Sequence, residues 1–393
     1  MAKGRTASKI QKKLNFLCFG DTFTGKSTFA SQFAYMHNED GSPMRVLFID
    51  AESGSIDNYL DEMEANGVDL ANIYILYTQS LGEVLDYIEK VKNNEDLYEL
   101  DEDGNETDDV VVDADGKPFR ADAIVIDGTS VLYTAAQQGL LEFSKKRARV
   151  RADSNGLVGE EKLVAIEGSS LEMKDWGALR FKGANLCLAL LGTGVHSMIT
   201  CREEDEKEST KGANGQFTSI PTGKKIPAGF KDLEYNTHTV VRFYRDDDDT
   251  VIADVIKDRS CVHPKEKVEN PSLLDWQVVI DGNKGKNKFI LKNNLANAVE
   301  TEQEIYSAEV MSNAAKSMSK SEMEKSKADN IDNEEVSAKD IIDKIKPITK
   351  GMSPTEVQEM KKKLTKEGLP VNYMKVTDVE VLQKILAIVS ANE

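Results

Sequence analysis

The sequence contains no run of about 18 apolar residues, so nothing in it reads as a membrane-spanning helix. Cysteine is scarce: Cys18, Cys187, Cys201 and Cys261 are scattered through 393 residues and form no C-x-x-C pair. Three of them sit in apolar runs, which points to buried thiols in a reducing compartment, not to a disulfide frame. No His/Cys cluster marks a transition-metal site, and His196 and His238 read as packing or polar loop residues. The N-terminal stretch MAKGRTASKIQKK is basic but no apolar segment follows it, so no secretory signal is expected and a cytoplasmic location is. Basic charge is also in deficit: 50 Lys and Arg against 68 Asp and Glu leave a net charge of −18. A chain this acidic is no generic nucleic-acid binder, and any DNA contact must come from a local cluster of cations. The acidity itself is concentrated: twelve acids lie between Glu95 and Asp122 against Lys117 and Arg120, and Asp246 to Asp249 form an unbroken run.

Short apolar runs alternate with helical patterns. Residues 14–20, RVLFIDAE (45–52), NIYILY (72–77), ADAIVIDG (121–128) and HSMITC (196–201) read as buried strands. Residues 26–37, IDNYLDEMEANG, LGEVLDYIEKVKNN and a segment carrying Leu186 to Leu191 read as helices between them. HTVVRFYRD and TVIADVIKDR read as an antiparallel pair around the aspartate run. Strands alternating with helices predict an α/β domain on a mostly parallel sheet. Two turn signals, Asp103-Gly104 and Asp115-Gly116, make the acidic stretch 95–120 a hairpin-like insertion. The expected organisation is a basic tail (1–13), a core (14–300), a Ser/Lys/Glu/Asn/Met-rich linker (301–338) and a small three-helix module (339–393), in which Ser353, Pro354 and Glu356 mark a helix start.

The segment Gly20-Asp21-Thr22-Phe23-Thr24-Gly25-Lys26-Ser27 fits G-x-x-x-x-G-K-[ST], with Thr28 next, between a strand and a helix. In this motif the glycines let backbone N–H groups wrap phosphates, the lysine reaches the β- and γ-phosphates, and the hydroxyl of Ser27 ligates Mg²⁺. Asp127 ends the most apolar strand and is placed to hold Mg²⁺ through water, although a strand-end aspartate before Gly128 is also an ordinary turn residue. Glu52, just past a second buried strand, is a candidate to orient or activate an attacking water. Arg202, ending the HSMITC strand, is a candidate γ-phosphate sensor.

The stretches VLFIDAESGS, NGVDLANIYILYTQSLGEVLDYI and ADAIVIDGTSVLY together resemble the ATPase core of RecA-family recombinases. In that family the corresponding strand reads F-I-D-A-E and ends in the catalytic glutamate, which lands on Glu52; the Walker B aspartate lands on Asp127. The resemblance covers roughly residues 12–265, strongly in the first half. DWGALRFKGANLCLALLGTGVHSMITCRE, IPAGFKDLEYNTHTVVRF and VIADVIKDRS are similar to the core-only RecA-like ATPases of bacteriophages, which include single-strand annealing recombinases. The insertion and the tail after residue 300 fall outside that pattern, and no RecA-type N-terminal oligomerisation domain is recognisable.

The resemblance implies a RecA-like P-loop ATPase using ATP and Mg²⁺, stimulated by DNA, in the host cytoplasm if phage-encoded. It implies head-to-tail self-assembly as a ring or filament, with Lys257 or Arg259 of IKDR reaching the neighbouring subunit's γ-phosphate. It also implies single-stranded DNA as partner. Lys145, Lys146, Arg147, Arg149 and Arg151 stand where the family has its first DNA loop. Phe217, Lys224 and Lys225, within the glycine- and threonine-rich stretch 204–230, stand where it has its second. Annealing or strand exchange is then the expected task, with the C-terminal helices recruiting a partner such as a single-strand-binding protein. A ring-forming helicase-like motor and a nucleotide-gated regulator without a DNA role stay open, the latter favoured by the net acidity.

Overall fold

The computed structural model describes residues 9–211, 217–288, 299, 302–305, 307, 338–352, 354–376 and 378–390. Most of the expected linker and most of the basic tail lie outside them. Contacts divide the chain into two units, Met1–Ala298 and Val299–Glu393.

An eight-stranded sheet in the order β12-β11-β10-β1-β7-β6-β2-β3 organises the first unit. Its strands are β1 (Asn15–Gly20), β2 (Val46–Asp50), β3 (Ile73–Tyr77), β6 (Ala123–Asp127), β7 (His196–Cys201), β10 (Thr239–Arg245), β11 (Val251–Asp258) and β12 (Lys267–Glu269). The six strands from β10 to β3 run parallel, and β11 and β12 turn back antiparallel at one edge. The α/β class and mostly parallel sheet expected from the sequence are therefore found. β1, β2, β6 and β7 are buried along their whole length. Side chains alternate between faces: Leu17, Phe19, Ile124, Ile126 and Ile199 join one core cluster, while Phe16, Cys18, Val125 and Met198 join the other. Both faces are apolar because helices cover both.

The first face packs against α3 (Leu81–Asn93), α4 (Thr129–Ser154) and α6 (Met173–Thr193) through residues such as Val84, Ile88, Leu132, Leu186 and Leu190. The second packs against α1 (Lys26–Ser31) and the turn after it. There Phe16, Phe29 and Trp276 meet edge to face, with centroids 5.2–6.0 Å apart. α2 (Asp57–Ala65) follows β2, and α5 (Gly159–Glu167) lies between α4 and α6. The aspartate run is the β10–β11 turn: the Asp246 carboxylate accepts from the amides of Asp248 and Thr250.

The acidic insertion holds β4 (Tyr98–Leu100) and β5 (Glu106–Val110), paired antiparallel around Asp103-Gly104. A second turn at Asp115-Gly116 brings Val112 against Pro118. Some of its acids are turn chemistry. Asp101 accepts from the amides of Asp103 and Asn105, and Asp113 from those of Asp115 and Lys117. Arg45 anchors the stretch through Asp113 at 3.3 Å and Asp122 at 2.9 Å.

Two segments differ from the sequence reading. Lys145 to Arg151 lie within α4, not in a loop. Residues 204–230 are largely a two-stranded hairpin of β8 (Glu203–Lys211) and β9 (Phe217–Pro227), whose connecting residues 212–216 lie outside the described set. After it comes the short helix α7 (Leu233–Asn236).

The second unit contains helices Ala338–Gly351, Pro354–Lys366 and Val379–Ser390, which bury Ile341, Ile345, Met360, Leu364, Leu382, Ile385 and Val389 between them. Ser353 lies outside the described residues. Among the described residues no helix is long and apolar enough to cross a membrane.

Candidate active site

Strand register sets the site. Gly20 pairs with Phe243, Asp50 with Asp127, and Cys18 with Thr200, so the C-terminal ends of β1, β2, β6 and β7 share one sheet edge. That is where ligands bind in open α/β sheets. A cleft of about 510 Å³ lies there, lined by Gly20 to Thr28, Glu52, Ser55, Asp127, Arg202 and Arg245 among others.

The loop between β1 and α1 has the shape its motif implies. A Cβ on Gly20 would lie 2.1 Å from the carbonyl oxygen of Phe243, so only glycine lets β1 pass β10 at this point. Gly25 has φ +87°, the left-handed turn that starts α1. Lys26 Nζ bends back to donate to the carbonyl oxygen of Asp21 and lies 3.4 Å from Thr24 Oγ1. Burial pushes its pKa down, against the pull of Glu52 and Asp127. An ammonium so placed gains from an anion arriving in the cleft. Ser27 Oγ has no hydrogen-bond partner among the described residues. Arg245 Nε donates to the carbonyl of Phe23 at 2.8 Å and braces the loop from β10.

Asp127 is 1% exposed, and each of its carboxylate oxygens accepts from a hydroxyl: Oδ1 from Thr200 Oγ1 and Oδ2 from Ser55 Oγ at 2.6 Å. Beside it Asp50, also 1% exposed, gathers the turn that follows β2. It accepts from the amides of Glu52 (2.8 Å), Gly54 (2.8 Å) and Ser55 (2.6 Å). This turn carries Glu52 over Gly128, whose φ of +93° and missing Cβ leave room for the glutamate stem. Glu52 Oε1 meets Arg202 Nη2 at 3.2 Å, with the two side chains 35% and 62% exposed. A pair this open to water contributes little to stability and is readily given up for a phosphate.

Lys26, Ser27, Glu52, Asp127 and Arg202 are thus brought together. Asp50, Ser55, Thr200 and Gly128 were not singled out in the sequence, though Asp50 stands two residues before the candidate glutamate and Gly128 one after the candidate aspartate. Cys18 and Cys201 lie just beneath, and burial raises both thiols. His196 is fully buried; its Nδ1 accepts from the Leu14 amide at 3.1 Å, and burial holds its pKa far below the usual range.

Lys257 and Arg259 are not in this cleft. β11 runs antiparallel to β10, and Lys257 pairs with Val240, which pairs with Leu17, three residues before Gly20. Lys257 Nζ donates to the carbonyls of Glu234 (2.7 Å) and Thr237 (2.5 Å), capping α7 within its own chain. Arg259 is exposed, and its guanidinium has no hydrogen-bond or ion-pair partner among the described residues.

The basic clusters are largely neutralised at home. Lys145 pairs with Glu142 and Glu167, Arg147 with Asp175 at 2.5 Å, and Arg151 with Glu172 at 2.9 Å. Lys146 and Arg149 are exposed and have no such partners among the described residues. On the hairpin, Lys224 pairs with Glu206 at 3.3 Å and Lys225 with Asp205 at 2.8 Å. The side chain of Phe217 lies outside the described residues.

No protein-family model matches the chain, and no curated protein matches it in sequence. Among solved structures, a KaiC-like protein from the hyperthermophilic archaeon Pyrococcus horikoshii OT3 is similar at 15% identity and a TM-score of 0.34. The match covers 67% of this chain and 94% of that one. A likeness this loose does not extend to individual site residues.

Proposed function

We propose that this chain is a RecA-like, Mg²⁺-dependent ATPase. The observation that carries the reading is the convergence of Lys26, Ser27, Asp127 and Glu52 on one sheet-edge cleft, with the glutamate turn pinned by Asp50. Backbone amides of the loop and Lys26 take the phosphates, Lys26 exchanging the Asp21 carbonyl for phosphate oxygen. The Ser27 hydroxyl and, through water, the Asp127 carboxylate are the hard oxygen donors that suit Mg²⁺. Among the described residues no group of three or more His, Cys, Asp or Glu is placed to hold a metal ion. A Mg²⁺ held by these groups would supply charge neutralisation for phosphoryl transfer. Glu52 orients the attacking water and accepts its proton, and Arg202, released from Glu52, turns to the γ-phosphate.

Head-to-tail assembly would add a cation from the next subunit. Arg259 suits that role better than Lys257, because its guanidinium has no partner among the described residues whereas Lys257 caps α7. Single-stranded DNA as effector, and annealing or strand exchange as task, rest on the sequence resemblance and on two exposed cations, Lys146 and Arg149, that have no ion-pair partner among the described residues. The pairing of Lys145, Arg147, Arg151, Lys224 and Lys225 with local carboxylates favours the second reading, a nucleotide-gated regulator without a DNA role.

The test is ATP hydrolysis by wild type and Glu52→Gln, with and without single-stranded DNA. Hydrolysis abolished in Glu52→Gln with nucleotide binding retained is expected. Undiminished hydrolysis in that variant would overturn the assignment of Glu52. Hydrolysis indifferent to DNA would leave the regulator.

A further inference from the structure

The cleft contains a connection that the nucleotide reading does not use. Ser55 Oγ lies 2.6 Å from Asp127 Oδ2 and 3.1 Å from Asp50 Oδ2, so one hydroxyl stands between two buried carboxylates 77 residues apart in sequence. A serine has a single proton to give. Asp50 Oδ2 already accepts from the amides of Gly54 and Ser55, at 2.8 and 2.6 Å. Asp127 Oδ2 has no other protein donor among the described residues, and its contact is the shorter. The proton therefore goes to Asp127. The Asp50 side is held by backbone amides, and the Ser55 hydroxyl carries that rigidity across to the end of β6.

We infer that Ser55 is a positioning residue that fixes the rotation of the Asp127 carboxylate and ties it to the turn carrying Glu52. Thr200 holds Oδ1 from β7, and Ser55 holds Oδ2 from the β2 turn. With both in place the carboxylate plane cannot swivel, and its remaining lone pairs point in set directions. Water-mediated Mg²⁺ contact depends on that direction, whereas metal-free phosphate binding by the loop and Lys26 does not. Buried hydroxyl–carboxylate bonds are charge-assisted and among the stronger ones in proteins. The inference rests on the reading of the cleft as a Mg²⁺–nucleotide site.

The experiment measures affinity for a fluorescent ATP analogue with Mg²⁺ and with EDTA, alongside kcat and KM, in wild type, Ser55→Ala, Ser55→Thr and Ser55→Cys. For Ser55→Ala we expect metal-free affinity within about twofold of wild type, the Mg²⁺-dependent gain reduced about tenfold, and kcat lowered at least about tenfold with KM raised in step with the weaker Mg²⁺–nucleotide binding, as for a lost charge-assisted bond. Ser55→Thr restores both. Ser55→Cys, close in volume but a weak donor, behaves like Ser55→Ala and carries the test if the alanine variant does not fold. A Mg²⁺ gain and kcat equal to wild type in Ser55→Ala would refute the positioning role alone. Equal loss of metal-free and Mg²⁺ binding would refute it too, since general loosening would then explain the effect. A wild-type chain that binds no nucleotide would sink the cleft reading together with it.

Discussion

Replacing Gly128 by alanine tests whether the position of Glu52 matters, without touching any group proposed to react. A Cβ at Gly128 would fall 2.5 Å from Glu52 Cγ, while ordinary contacts begin near 3.4 Å, so the glutamate stem must shift by about 0.9 Å. The residue also sits at φ +93° and ψ +38°, where an L side chain is strained by about 1–2 kcal/mol. Two effects follow and they separate. Strain lowers the unfolding temperature by several degrees at about 2–4 °C per kcal/mol. Displacement of a catalytic group by about 1 Å lowers kcat by about a hundredfold. Nucleotide binding stays near wild type, because the loop and Lys26 are untouched. The assay is steady-state ATP hydrolysis, titration with a fluorescent nucleotide, and a thermal melt. A kcat within twofold of wild type, with the melt shifted as expected, would show that the glutamate's position over Gly128 is irrelevant to hydrolysis.

Three further outcomes follow from other parts of the molecule. Lys257→Met removes the cap on α7 and leaves two carbonyls short of a donor, so unfolding free energy should fall by about 1–3 kcal/mol in a denaturant titration; unchanged stability would free Lys257 for a role in trans. His263 is bracketed by Glu266 at 2.5 Å and Asp275 at 3.0 Å. Burial lowers its pKa, but these two carboxylates more than offset that and the net shift is upward. A raised folded-state pKa adds stability that is full below the unfolded value of about 6.5 and fades as pH rises through the folded value. The deficit of His263→Ala in thermal melts should therefore be larger at pH 6 than at pH 9, and a pH-independent deficit would contradict the pairing. If single-stranded DNA binds through α4, Lys146→Ala/Arg149→Ala should reduce the slope of log affinity against log salt by about 1.4, from about 0.7 per phosphate contact; an unchanged slope would exclude that helix.

The glycine-lined turn between β1 and α1 was legible from the sequence because it is local: glycines, lysine and hydroxyl are contiguous, and strand and helix flank them. The strands were legible because burial on both faces demands unbroken apolar runs such as AIVID and VLFID. The basic run in α4 was not legible as helix. Its packing face is made by small residues, Ser144 and Ala152, which leave no apolar periodicity. The second basic stretch hid a hairpin because β8 opens on an unbroken run of charges, Glu203 to Glu208, of which Asp205 and Glu206 pair across to Lys225 and Lys224 of β9.

Local order along the chain determined where the glycine-lined turn would fall and which segments would be strands. Tertiary structure decided what those residues touch. Asp50, Ser55 and Asp127 meet only because β2 and β6 are sheet neighbours in matched register. Arg202 reaches Glu52 only because β7 lies beside β6, although the two residues are 150 positions apart. Lys145, Arg147 and Arg151 are paired with Glu167, Asp175 and Glu172, and Lys257 turns inward to α7. Pattern along a chain reports burial and turn chemistry, which act over a few residues. The partner of a charge is set by strand order and helix packing, which join residues far apart in sequence.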